Sequence, residues 1–328
     1  MHDGNARPSP APVFLAGPTA VGKSAVALAL AELRGGEIIS VDSMQVYRGL
    51  DLGTAKPSAA ERARVRHHLI DVVEPTETFD AAKFVRLAET AVKDIQARGR
   101  VPIFCGGTGL YFKAWLDGLG EAPPSDARVR AELEATPLAE LLVELERRDP
   151  VTFARIDRQN PRRVVRALEV IRLTGKPFSA QRAAWTADRR PQTTDRVFCL
   201  TREPADLRAR IEARVDAMFA AGLVEETRAL LARGLESNRT AMQALGYRQV
   251  VEHLRGARGL AETVALVKTK TWQFARRQGT WFRGQLAVEQ VPLAADADAA
   301  ALAEELASRV VTDDRVGGSK ASPCGGTL

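Results

Sequence analysis

The segment "VFLAGPTAVGKSAVALALAELRG", residues 13–35, decides the fold. Its first four residues are an apolar run of strand length. Gly17 to Ser24 follow and match the pattern G-x-x-x-x-G-K-[ST]. Beyond Ser24 the apolar residues recur at helical spacing until Gly35. Strand, glycine loop and helix in that order make a phosphate-binding loop, because backbone N–H groups gather at the helix N-terminus and favour an anion. Gly17, Pro18, Thr19, Ala20, Val21, Gly22, Lys23 and Ser24 are therefore expected to cradle a diphosphate. Lys23 adds a point charge, and Ser24 is placed to hold a Mg2+ ion bridging the phosphates.

Working outward, "EIISV" (37–41), "HLIDVV" (68–73), "VPIFC" (101–105) and "RVFCL" (196–200) read as further strands. "FDAAKFVRLAETAVKDIQARG" reads as a helix with a glycine stop. This alternation predicts an α/β fold of the P-loop NTPase kind, a parallel sheet flanked by helices. The texture changes at Pro123 and Pro124, after which charged segments of helical period dominate. A small all-helical domain is expected over 121–196, inserted into a discontinuous core of 13–120 and 197–290. The Pro-, Gly- and Ser-rich ends, 1–12 and 311–328, read as disordered tails.

A phosphate loop alone suggests a nucleotide hydrolase, and two features oppose that. The strand "VPIFC" runs into "GGTG" where such enzymes place a magnesium-holding acid. No guanine-reading N-K-x-D stretch occurs. In a parallel sheet ligands bind beyond the carboxyl ends of the strands, and Asp42 follows the strand "EIISV" there. As a turn or N-cap carboxylate it would be structural; facing the loop it would be a general base. The polar run of Ser43, Gln45 and Tyr47 favours the second reading. Thr108, after two glycines, reads as a helix N-cap, a ligand to a reacting group, or both.

The net charge is +6, and aromatics make up only 5% of the 328 residues. Against that background "KTKTWQFARRQGTWFR" (268–283) stands out, with five cations, no acid, two tryptophans and two phenylalanines. Such interleaving suits phosphate contacts and base stacking. The plainer reading, an amphipathic helix with its aromatics in the core, holds equally for Trp272 and Phe274. "RIDRQNPRRVVRALEVIR" carries six arginines against two acids and reads as a basic or solvated helix face. Arg210 and Arg214 share a helix face, either as surface ion pairs or as a second clamp on the diphosphate. His67 and His68 are adjacent, point apart and read as structural.

"GPTAVGKS", "ISVDSMQVYRGLDLGTAKP", "HLIDVVEP", "GGTGLY", "NPRRVVRALEV", "RIEARVDAMFAAGLVEE", "ALGYRQ" and "RRQGTWFR" occur in this order. Together they resemble the bacterial tRNA dimethylallyltransferases (tRNA isopentenyltransferases) from about residue 13 to 285. The resemblance implies transfer of a dimethylallyl group from dimethylallyl diphosphate to N6 of adenosine 37, beside the anticodon, with Mg2+ and release of diphosphate. It implies Asp42 as the general base, Thr108 as a ligand of the amine and Arg214 as a ligand of the diphosphate. It further implies tRNA contacts from Asp42, Ser43, Met44, Gln45, Thr108, Arg130, Arg162, Arg163 and Arg166. Gln243, Gly246, Tyr247, Arg248, Arg276, Arg277, Gln278, Trp281 and Arg283 complete that set. Val21, Ser24 and Leu52 depart mildly from the family pattern, and the zinc finger of some eukaryotic members is absent.

Three rivals remain at this point. A prenyltransferase acting on free adenine nucleotides would share the loop and Asp42 but would not need the insert. A small-molecule P-loop kinase would consume ATP. A non-catalytic RNA-binding module would leave the loop unexplained. Cys105, Cys199 and Cys324 form no C-x-x-C pair, so a zinc site is not expected, and Cys105 reads as a buried strand residue. The expectation is a cytoplasmic monomer with no membrane segment.

Overall fold

A computed structural model describes residues 9–119, 123–180 and 196–316, with side chains through 310. Most of the expected N-terminal tail, residues 181–195 of the insert, and the stretch from 317 with Cys324 lie outside the described residues. The chain forms two compact units. The first joins Met1–Lys113 to Thr194–Leu328, and the second is Ala114–Thr193.

The first unit opens with β1 (Val13–Ala16), α1 (Lys23–Arg34), β2 (Gly36–Val41), α2 (Ala59–Arg64), β3 (His67–His68), α3 (Ala81–Ala97) and β4 (Val101–Gly106). The helix α4 (Gly109–Leu116) leads into the second unit, which holds α5 (Ala127–Ala135), α6 (Leu138–Arg148), α7 (Pro150–Arg155) and α8 (Pro161–Thr174). The first unit resumes with β5 (Val197–Arg202), α9 (Pro204–Ala220), α10 (Leu223–Ala232), α11 (Tyr247–Leu254), α12 (Leu260–Gln285), β6 (Glu289–Leu293) and α13 (Ala299–Val316).

All six strands are parallel, in the order β3-β2-β4-β1-β5-β6. β1 lies at the centre, and every one of its side chains is buried. Gly106 pairs with both Ala16 and Val41, so β1, β4 and β2 end level with one another. Three loops therefore leave the same edge of the sheet side by side. Leu15, Ile103, Phe198 and Leu200 pack with Val26 and Leu30 of α1, Ile211 and Val215 of α9, and Leu306 of α13. Phe14 stacks on Phe104 with ring centroids 5.0 Å apart.

Three expectations need correction. "HLIDVV" is not a six-residue strand. Only His67 and His68 extend, and Leu69 and Asp71 take positive φ of 62° and 56°, which breaks the pairing. The chain is also ordered into helix beyond 310, because α13 runs through Val316 and packs on α1. β6 and α13 complete the first unit beyond residue 290, the expected end of the core.

The second unit has its own apolar centre of Leu133, Leu141, Leu145, Val164, Val165, Leu168 and Ile171. Asp149 caps α7, accepting from Thr152 N–H at 3.0 Å and from Ser179 N–H at 2.8 Å. Among the described residues no helix is long and apolar enough to cross a membrane.

Candidate active site

The phosphate loop turns on two left-handed glycines, Gly17 (φ 143°) and Gly22 (φ 114°). A Cβ on Gly17 would lie 2.6 Å from the Leu200 carbonyl oxygen, so the turn requires glycine twice over, for conformation and for space. Val21 is buried and anchors the loop. From outside, the Arg202 guanidinium donates to the Val21 carbonyl at 2.8 Å, and Arg210 donates to Ala20 O at 3.0 Å. Arg210 thus braces the loop from its carbonyl side.

Inside the loop, Lys23 Nζ donates to Pro18 O at 2.6 Å. Burial lowers its pKa to about 8; the charge of Arg214 adds to this, while Cys105 and Asp42 oppose it. Ser24 stands exposed in the first turn of α1. Cys105 and Cys199 flank Lys23 from β4 and β5, and burial pushes both thiols up to about 11. Cys105 is half-buried rather than fully buried, because it lies near the open edge of the sheet.

Asp42 follows β2 and closes a tight turn. Its Oδ1 accepts from Met44 N–H at 2.8 Å and from Gln45 N–H at 3.2 Å. Its Oδ2 accepts nothing from the described residues. Its charge acts on Lys23, Cys105 and Arg214 across the cleft. One oxygen of Asp42 therefore organises the turn, and the other makes no hydrogen bond with the described residues. Thr108 Oγ1 accepts from Ser43 N–H at 3.1 Å, and its backbone carbonyl starts α4 by accepting from Tyr111 N–H at 2.9 Å.

Arg214 reaches the cleft from α9. It is half-buried and makes no hydrogen bond or ion pair with a described residue. Burial lowers its pKa, Asp42 opposes that shift and Arg210 adds to it. A desolvated cation without a counter-ion is costly in a folded chain.

Several residues expected to meet RNA are tied up within the protein. Gln45 accepts from Ser40 Oγ at 2.9 Å and donates to the Thr54 and Ala55 carbonyls at 3.2 and 3.3 Å. Tyr247 is fully buried, donates to Glu226 Oε1 at 2.6 Å and accepts from Gly53 N–H at 3.1 Å. Gly246 is buried beside it, with its N–H donating to Gln249 Oε1 at 3.0 Å. In the second unit Arg166 donates to Glu169 Oε2 at 2.7 Å, and Arg130 pairs with the same oxygen at 3.5 Å. Glu169 is fully buried, so both guanidiniums neutralise it. Gln278 is buried as well and binds two backbone groups of the first unit.

The residues left facing solvent are Arg162, Arg163, Gln243, Arg248, Arg276, Arg277 and Arg283. Arg248 pairs with Glu252, and Arg276 and Arg277 make no ion pair among the described residues. Trp281 is half-buried, its ring lying over Gly109. Trp272 packs against the core, whereas Phe274 is exposed, which divides the two aromatics. Lys56 was not anticipated from sequence. Its ammonium is buried and donates to Tyr47 O, Asp51 Oδ1 and Asp71 Oδ1 at 2.5, 2.7 and 2.5 Å. It locks the loop that supports Gln45.

Fold and site define a phosphate-loop α/β protein in which a carboxylate and an arginine, unpaired among the described residues, face the loop. The chain belongs to the IPP transferase family, whose family model matches residues 45–285, beginning beyond Asp42. It is 50% identical over 285 residues to the tRNA dimethylallyltransferase of Halorhodospira halophila, covering 84% of this chain and 91% of the relative. The enzyme of that name from Geobacter metallireducens is 48% identical, with 83% and 89% covered. A crystal structure of the full-length tRNA isopentenylpyrophosphate transferase from Bacillus halodurans matches with a TM-score of 0.68 at 36% identity, covering 94% of this chain and 99% of that one. A eukaryotic dimethylallyltransferase, captured in crystallographic snapshots acting on tRNA, matches with a TM-score of 0.77 at 25% identity, covering 94% and 80%.

Proposed function

We propose that this protein transfers a dimethylallyl group from dimethylallyl diphosphate to the exocyclic N6 of adenosine 37 in tRNA, in the cytoplasm. The observation that carries the reading is Arg214, a half-buried cation that makes no ion pair with a described residue and acts on Lys23 across the cleft. In this reading the diphosphate is its partner.

The reaction forms an N6–C bond and breaks the allylic C–O bond. The adenine amine is a poor nucleophile because its lone pair is delocalised into the ring, so its proton needs an acceptor. Asp42 Oδ2 is free to take that proton while Oδ1 holds the turn. Thr108 has one lone pair engaged by Ser43 N–H and keeps another, with its hydroxyl proton, for the amine. Charge grows on the leaving diphosphate as the C–O bond breaks. Lys23, Arg214 and the amides of the loop are preorganised to stabilise it. The target base is out of reach within a stacked anticodon loop and must swing out to meet Asp42.

The site also fits a Mg2+ ion. Among the described residues no group of three or more His, Cys, Asp or Glu could hold a metal by itself. Mg2+ takes one or two protein oxygens and completes its shell with phosphates and water. Ser24 Oγ, in the first turn of α1, would supply the protein oxygen. The ion would shield charge on the diphosphate.

The test is incubation with isotopically labelled dimethylallyl diphosphate and either tRNA or AMP, followed by nucleoside analysis. Label on N6 of adenosine 37 in tRNA alone is expected. Label in AMP, or ATP consumption without label in tRNA, would overturn the reading.

A further inference from the structure

Gln278 bridges the two halves of the site. It lies in α12 and is 9% exposed. Its Oε1 accepts from Thr19 N–H, in the phosphate loop, at 2.9 Å. Its Nε2 donates to the Gly107 carbonyl, in the loop that carries Thr108, at 2.8 Å. One amide group thus spans the donor-side loop and the acceptor-side loop. The approach is close, because a Cβ on Gly107 would collide with the Gln278 nitrogen. One turn further on, Trp281 seals the same contact by lying over Gly109.

The opposite face of α12 is different in kind. Arg276, Arg277 and Arg283 are exposed there. The helix spans 26 residues, about 39 Å, and Arg277 and Gln278 are adjacent in it. A polyanion that engages its outer arginines therefore bears on Gln278 and, through it, on both loops.

We infer that Gln278 is a positioning residue that couples binding of the RNA substrate to formation of the diphosphate cradle. The inference rests on the function proposed above. It does not make Gln278 a contact of either substrate. The amide holds Thr19 and Gly107 at a fixed separation, which sets the distance between leaving group and amine. A coupling free energy is reciprocal, so RNA strengthens diphosphate binding by the factor with which diphosphate strengthens RNA binding.

The probes are inorganic diphosphate with Mg2+ and a synthetic anticodon stem-loop, titrated alone and together. In the wild-type protein the stem-loop is expected to tighten diphosphate binding about ten-fold, within the ordinary range for allosteric coupling. In Gln278→Met, which keeps the side-chain length and removes both hydrogen bonds, diphosphate affinity should be the same with and without RNA. Affinity for the stem-loop alone should match wild type. A variant that retains the coupling, or one that loses stem-loop affinity outright, would overturn the inference. So would a wild-type protein that prenylates tRNA yet shows no coupling; failure to prenylate tRNA at all counts instead against the proposed function. If Gln278→Met does not fold, hydrogen exchange on wild-type residues 17–24 decides. Added protection with the stem-loop alone supports the coupling, and no change overturns it.

Discussion

The backbone N–H of Ser43 donates to Thr108 Oγ1 at 3.1 Å. The turn after β2 is thereby fastened to the turn after β4, and the Asp42 carboxylate stays fixed between them. Because Oδ1 accepts from Met44 and Gln45, Asp42→Asn preserves the turn through the amide oxygen while removing the base. Turnover should fall by roughly two to four orders of magnitude, the usual worth of a general base, with tRNA affinity unchanged. Single-turnover prenylation alongside a filter-binding titration checks this, and undiminished turnover would remove Asp42 from the mechanism.

Arg214 predicts opposite effects on activity and stability. Replacing it with Met removes a desolvated cation that has no ion pair among the described residues. Removal of such a charge is neutral or stabilising, whereas loss of a charge stabiliser at a leaving group costs about a hundred-fold or more in rate. Arg214→Met should melt no lower than wild type and transfer the prenyl group far more slowly. A lowered melting temperature would place Arg214 in the scaffold.

Lys23 sets a pH dependence. Burial holds its pKa at about 8, below the ordinary 10.5, so in the free protein the charge is lost as pH rises through about 8. A bound diphosphate favours the charged form. Diphosphate affinity should therefore weaken above that pH, and binding near pH 9 should take up a proton. Asp42, Arg214, Cys105 and Cys199 are the other ionisable groups that act on this amine or feel its charge. Calorimetry in two buffers of different ionisation enthalpy reads the proton directly. Lys23→Arg, which stays charged, should lose both effects.

Arg276 and Arg277 should bind RNA through phosphates. Each phosphate contact contributes roughly 0.7 to 0.9 to the slope of log affinity against log salt. The double variant Arg276→Ala/Arg277→Ala should lower that slope by about 1.5. A loss of affinity that ignores salt would instead assign them to packing.

Tyr247 belongs to the scaffold. Tyr247→Phe strips a hydrogen bond from half-buried Glu226 and leaves Gly53 N–H without its acceptor. Leaving such groups unsatisfied costs about 1–3 kcal/mol, so denaturant unfolding should shift by that amount. Affinity for tRNA should hold.

The catalytic frame was legible because its signals are local. Strand, loop, cap and helix occupy the single run from Val13 to Gly35, and β2 announces Asp42 by ending beside it. Partnerships across long stretches of chain were not legible. Gln278 sits among arginines in "RRQGTWFR", and its neighbours suggested RNA. Only the helix phase separates it: Ala275, Gln278 and Phe282 turn inward, while Arg276 and Arg277 turn outward. Tyr247 stands among the tRNA contacts the resemblance implies, and nothing near it in sequence marks its packing against Gly53, nearly two hundred positions earlier. The kink at Leu69 and Asp71 left no mark in an apolar run that otherwise reads as strand.

The run Gly106-Gly107-Thr108-Gly109 bears on how a saturation mutagenesis map of this protein should be read. Gly106 lies against the Val41 backbone, Gly107 against Gln278 and Gly109 under the Trp281 ring. All three positions would score as intolerant, yet under the proposed function only their neighbour Thr108 would present a group to the amine. Three steric vetoes from two distant parts of the chain, β2 and α12, would masquerade as one catalytic motif. Second-site suppressors would tell them apart: trimming Trp281 should rescue Gly109→Ala and leave Gly106→Ala dead.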